Sequence, residues 1–201
     1  PTLGSAPHGP IQLRDGRLLF LGSATVDGER TMAAEESTDD GRSWQLIGSA
    51  PLPASMTHGL GEPHLVETEN GRIVGMFRSG ATDEEGRYLF QSESEDGGWS
   101  WTPVHRTAIL GFPPHLICLA DGELLVVYGR RVPPYGQRAC ISRDEGETWT
   151  SDDQIILAKA PNDDLGYPAS AQLGDGSILT IYYQVDRAGE PTCLMGTKWR
   201  L

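Results

Sequence analysis

Apolar residues in this chain come in short runs, each introduced by a turn dipeptide. Asp15-Gly16 precedes RLLFLG, Asn70-Gly71 precedes RIVGMF, Asp121-Gly122 precedes ELLVVYG, and Asp175-Gly176 precedes SILTIYY. The four glycines lie 55, 51 and 54 residues apart. Asn-Gly and Asp-Gly between apolar runs predict hairpins, with two-residue turns whose central residues both take positive φ. Each hairpin is preceded by a segment opening on proline: Pro7-His8, Pro63-His64, Pro114-His115 and Pro168-Ala169.

A second pattern runs in phase with the first. Ser-x-Asp-x-Gly-x-Ser/Thr-Trp occurs as Ser37-Asp39-Gly41-Ser43-Trp44, Ser94-Asp96-Gly98-Ser100-Trp101 and Ser142-Asp144-Gly146-Thr148-Trp149. In such a turn the Ser hydroxyl and Asp carboxylate accept backbone amides. Glycine supplies a left-handed position and tryptophan anchors the turn by burial.

Together the two patterns define a unit of four antiparallel strands, labelled A to D, in about 50 residues, the period of a propeller blade. A β-sandwich of short strands would not require identical turns in phase. The expected fold is therefore an all-β propeller of four-stranded antiparallel blades in one domain over 1–201, with blades near 7–50, 62–107, 113–157 and 167–201. The fourth blade has no acidic turn motif and no strand D. Pro1–Ala6 is short and poor in β-formers, so further blades are expected on the N-terminal side. Uncovered blade edges would then favour self-association.

Composition narrows the partners. A net charge of -12 gives no electrostatic footprint for nucleic acid or an anionic membrane. No apolar stretch approaches the roughly 18 residues of a membrane span. The start, Pro-Thr-Leu-Gly, shows neither an initiator Met nor a signal pattern, and the compartment stays open. Cys118, Cys140 and Cys193 have no metal spacing and an odd count, and read as buried reduced thiols.

A meander also sorts residues by face. If strand A starts at the top, the acidic turns between C and D lie at the bottom. The top then gathers His8, Glu62, His64, His115 and Tyr167 from the starts of A, and Arg78, Arg130, Arg131 and Gln184 from the ends of B. Arg87 and Arg138 join them from the starts of C. Arginines gathered on one face of an acidic protein point to an anion, since the guanidinium fork matches a carboxylate. The plainer alternative is that they brace blades by pairing with loop carboxylates. The aligned histidines follow from the blade repeat, so no metal and no cofactor is expected.

These residues resemble the sialidase (neuraminidase) superfamily, a six-bladed propeller with repeated Asp boxes, over essentially the whole chain. The resemblance implies that the chain corresponds to the family's four C-terminal blades. It makes Glu62, in Gly61-Glu62-Pro63, the base of a Tyr–Glu pair, and Tyr167, in Tyr-Pro-Ala-Ser-Ala-Gln-Leu, the nucleophile. Arg78, in Met-Phe-Arg-Ser, and Arg138 become carboxylate-binding arginines, with Arg131 and Arg130 as alternates. The family's first arginine and its acid/base Asp have no match here. Gln184 stands where the family carries a Glu.

The implied activity is exo-acting, retaining removal of sialic acid or a related acidic sugar, with a glycan bearing a carboxylate as partner and an incomplete site in this chain alone. A phenolate nucleophile suits a substrate whose carboxylate would repel a second carboxylate. Two alternatives stand beside it. One is another glycan-active propeller, such as a rhamnosidase or lyase; the other is a non-catalytic Asp-box propeller that binds carbohydrate or protein.

Overall fold

The computed structural model describes residues 6–201 apart from Thr57 and Asp83. Four antiparallel meanders account for its strands. The first contains β1 (Ile11–Gln12), β2 (Leu18–Val26), β3 (Glu29–Ser37) and β4 (Gln45–Ala50). The second contains β5 (Leu60–Glu67), β6 (Ile73–Ser79), β7 (Tyr88–Ser94) and β8 (His105–Leu110). The third contains β9 (Pro114–Cys118), β10 (Leu124–Arg130), β11 (Gly136–Ser142) and β12 (Ile155–Lys159). The fourth has three strands, β13 (Leu165–Gln172), β14 (Ile178–Val185) and β15 (Thr192–Trp199). Every sheet keeps sequence order across its width, which is the blade arrangement of an all-β propeller. A 3-10 turn, Glu84–Arg87, leads into β7 and carries Arg87 just before that strand.

The chain divides into two compact units, Pro1–Thr107 and Ala108–Leu201. In the first unit Leu19, Leu21, Met32, Ile73 and Phe77 form the centre of the core. In the second, Leu125, Val127, Ala139, Ile141 and Ile178 do so. Burying one such large side chain contributes about 1.5–3 kcal/mol.

The A–B hairpins differ from the sequence expectation. Only the glycine has positive φ, at 92° for Gly16, 88° for Gly71, 87° for Gly122 and 77° for Gly176. The Gly16 amide donates to Leu13 O at 2.9 Å and the Leu13 amide to Arg17 O at 2.8 Å. The same pair of bonds recurs in each blade, starting at Thr68, Leu119 and Leu173. These are three-residue loops in which a tight turn is followed by one left-handed glycine. The preceding Asp or Asn stays out of the positive-φ region, and the three Asp side chains accept an amide two residues on, as Asp15 does from Arg17 at 3.0 Å.

The acidic turns form as the motif implies. Asp39 accepts the Ser43 amide at 2.8 Å while Ser37 Oγ accepts the Gly41 amide at 2.9 Å. Asp96 and Asp144 repeat this at 2.8 Å with Ser100 and Thr148. Hydrogen bonds from Ser43 and its neighbours hold the Asp39 carboxyl below its usual range. One feature was not legible in the motif: two successive residues are left-handed, Asp40-Gly41 (φ 58° and 79°), Gly97-Gly98 (76° and 98°) and Glu145-Gly146 (56° and 87°). Of the three tryptophans only Trp101 is buried, at 7% exposure, whereas Trp44 and Trp149 are half-buried. The thiols also divide, with Cys140 buried, Cys118 half-buried and Cys193 exposed on β15.

Candidate functional site

Strand A of blade 2 carries an irregularity just where the sequence placed a site residue. β5 and β6 pair at Gly61↔Arg78 and again at His64↔Met76, so Glu62 and Pro63 together face Phe77 alone. Blade 4 repeats the arrangement. Pairing at Gly166↔Tyr183 and Ala169↔Ile181 leaves Tyr167 and Pro168 opposite Tyr182. Both are β-bulges, one of the places where a strand proline costs no ladder bond.

Within each bulge the residue before proline is left-handed. Glu62 and Tyr167 both have φ 47°. A residue with a Cβ gives up about 1–2 kcal/mol in that conformation, and a following proline restricts it further. Strain of this kind persists where surrounding structure imposes it, and it clusters at functional positions. Its effect is to turn the Glu62 and Tyr167 side chains out of the alternation of their strands. The corresponding residue of blade 3 is Pro113, just before Pro114.

The bulges present different chemistry. In blade 2, Arg78 Nη1 donates to both oxygens of Glu62, at 2.9 and 3.1 Å. Both side chains remain partly open to solvent, at 32% for Arg78 and 23% for Glu62. In blade 4 the register position of Arg78 is taken by Tyr183, whose ring stacks on that of Tyr167 at 6.1 Å and 23°. Arg131 closes this group. Its Nη2 donates to Tyr183 Oη at 2.9 Å, and its Nε donates to Leu165 O at 2.7 Å. Its guanidinium also lies 5.4 Å from the Phe112 ring and 5.9 Å from the Tyr167 ring. Gly166 permits this approach, since a Cβ there would stand 2.8 Å from Arg131 Nη2. Tyr167 is 37% exposed, so its phenol reaches solvent while its ring is held.

Arg138 is placed otherwise. It is 3% exposed, and its Nη1 donates to Gln137 O and Ala158 O at 2.9 and 3.0 Å. Its Nη2 donates to Pro134 O at 3.0 Å. Burial, reinforced by the nearby Arg130, lowers its pKa. Arg138 thus ties the turn before β11 to the neighbouring strand β12. Gln184 is buried beside this region and donates to Lys159 O at 3.0 Å.

The structure therefore brings Glu62 to Arg78 and Tyr167 to Arg131, and turns Arg138 inward onto backbone carbonyls. Tyr183 is the residue that reading the sequence missed. The available signal was the tripeptide Gly-Xaa-Pro at the head of strand A, as Gly61-Glu62-Pro63 and Gly166-Tyr167-Pro168, which marks a bulge and pairs Gly166 with Tyr183 where an unbroken ladder would give it Gln184.

No curated protein sequence matches the chain. Among solved structures, it overlays a protein of unknown function from Dyadobacter fermentans DSM 18053 with a TM-score of 0.85 and 24% identity, covering 98% of this chain and 54% of that one. The K499G mutant of the NanB sialidase from Streptococcus pneumoniae aligns with a TM-score of 0.70 and 18% identity, over 95% of this chain and 30% of that one. The Penicillium chrysogenum alpha-L-arabinanase aligns with a TM-score of 0.73 and 18% identity, over 98% and 65%. At such identities the likeness is one of fold, a propeller that glycoside hydrolases use, and the chain spans about half or less of the first two proteins. The BNR repeat-like domain pattern matches residues 2–181. With its acidic turns formed in three blades and that match over most of its length, the chain belongs to the BNR repeat-like domain family.

Proposed function

We propose that this chain forms part of a retaining, exo-acting glycoside hydrolase of the sialidase type, with Tyr167 as nucleophile and Glu62 as its base. The observation that carries the reading is the shared left-handed bulge, which turns both residues out of their strands at equivalent positions. In the first step the Tyr167 oxygen bonds to the anomeric carbon and its proton passes to the Glu62 carboxylate, while the glycosidic C–O bond breaks. The departing oxygen takes its proton from an acid outside this pair. Water then adds to the anomeric carbon and gives its proton to the conjugate base of that acid, the glycosyl–tyrosine bond breaks, and Glu62 returns its proton to the released phenolate. Arg78 and Arg131 are the side chains that would receive a sugar carboxylate, with Arg138 supplying charge from within.

A second reading has its own support. Arg78 is already engaged by Glu62, Arg131 by Tyr183 and a carbonyl, and Arg138 by three carbonyls. A neutral furanose or pyranose would leave those bonds intact, and an arabinan-cleaving propeller shares the fold. Assaying the full-length protein on aryl sialosides and aryl arabinofuranosides separates the two readings. Sialoside turnover abolished by Tyr167→Phe supports the first. Turnover of the neutral substrate alone supports the second, and turnover of neither leaves a non-catalytic glycan-binding propeller.

A further inference from the structure

The turn at the other end of blade 2 from Glu62 carries Trp99, which is 52% exposed although it sits beside the buried Trp101. Blade 1's outer strand β4 runs past this turn, and a cavity of about 480 Å³ opens between them. Leu46, Ile47, Ser49 and Pro51 form one wall, and Trp99 with Ser100 forms the other. Two glycines make the close approach possible. A Cβ on Gly48 would stand 2.4 Å from Trp99 O, and one on Gly98 would stand 2.9 Å from the Leu19 side chain. The Trp101 indole fixes the turn by donating to Gly98 O at 2.9 Å.

We propose that this cavity binds one neutral sugar residue of a glycan, as a site separate from the Glu62 and Tyr167 bulges. Its volume falls in the range of small-molecule sites, about 300–1,000 Å³. No lining residue carries a charge, in a chain whose net charge is -12. An anionic ligand would meet no cation there, and a cationic one would meet no carboxylate. A sugar ring has an apolar C–H face that stacks on an open indole, and an edge of hydroxyls that Ser49 and Ser100 can meet. The Ser100 hydroxyl donates to Asp96 at 2.5 Å, which leaves its oxygen free to accept. The class of ligand rests on the glycan reading above, but the site does not depend on the catalytic residues.

The test is an NMR titration of the 201-residue chain, following the Trp99 indole N–H with arabinobiose, lactose and maltose, and with cyclohexanol as a ring lacking the hydroxyl pattern. At least one disaccharide should shift the Trp99 signal saturably. Trp99→Ala should abolish sugar binding, read in that variant from the indole N–H of Trp101, which also lines the cavity; Ser49→Leu should weaken binding about tenfold by filling the cavity, and Tyr167→Phe should leave it unchanged. Any of four results would overturn the proposal, the first three being no saturable shift with any disaccharide, a response to cyclohexanol equal to the best sugar, or a Trp99-dependent dimer in sedimentation, which would assign the surface to a second copy. If Tyr167→Phe abolished the response, the sugar would be bound at the blade 4 bulge and the separate site would not exist. Loss of hydrolytic activity alone bears only on the catalytic reading.

Discussion

At the bulge of blade 2 a carboxylate meets a guanidinium, Glu62 with Arg78, whereas at the bulge of blade 4 two phenols stack, Tyr167 with Tyr183. The backbone is the same in both, down to a φ of 47° before proline. The contrast extends through the two units. In the first, the third strands bury Glu35, Glu36 and Glu93. In the second, the register positions of Glu36 and Glu93 are held by Ile141 and Lys198, opposite Leu125 and Leu179. A repeated fold thus fixes where a side chain is presented and leaves its chemistry to local substitution.

The sharpest way to break the comparison is kinetic. On whichever aryl glycoside the full-length protein cleaves, Tyr167→Phe should lower kcat by about 10³-fold or more, and Glu62→Gln by about 10²-fold. If both variants retain full rate, the bulges are structural and the catalytic reading is wrong. Arg138 offers the next largest effect, on stability. Arg138→Ala strands three backbone carbonyls and should cost about 3 kcal/mol in denaturant unfolding. Arg131→Ala, at a more open site, should cost about 1 kcal/mol. Equal losses would mean that both arginines are braces.

The buried Glu93 carboxylate predicts a pH dependence of stability in the first unit. Burial acts to raise the Glu93 pKa, but hydrogen bonds from His105, Thr102 and Gln91 outweigh it and hold the group at about 2. Because the folded pKa lies below the ordinary value of 4.5, the stabilisation is complete above that value and is lost as pH falls through about 2. Glu93→Gln should therefore cost about 2 kcal/mol at neutral pH and progressively less toward pH 2, read from urea midpoints. A penalty independent of pH would show that packing, not charge, matters there.

The smallest effect bears on the bulge itself. At an ordinary strand position glycine is less stable than alanine by about 0.5–1 kcal/mol. At Tyr167 the order should reverse, with Tyr167→Gly more stable than Tyr167→Ala by about 1 kcal/mol, because only glycine escapes the left-handed penalty. The same pair of variants at Glu62 should behave alike. The normal order at either site would remove the strain on which the functional reading rests.

The blades, their strand order and the acidic turns were determined by the sequence alone, because each depends on contacts within some 50 residues that repeat in phase. That Glu62 and Arg78 share one end of a hairpin also followed, whereas their ion pair did not. Other features depended on register and burial, which no local pattern encodes. The A–B loops have three residues because the ladder closes at Leu13 and Arg17, although Asp-Gly by itself suggests two. Arg138 reads as a surface anion-binder in sequence, yet three carbonyls take it inward. Tyr183 pairs with Gly166 instead of Tyr167 because a bulge shifts the pairing by one residue. Side chains alternate with a period of two along a strand, so a one-residue slip exchanges the residue facing the site, and only the folded sheet decides which one it is.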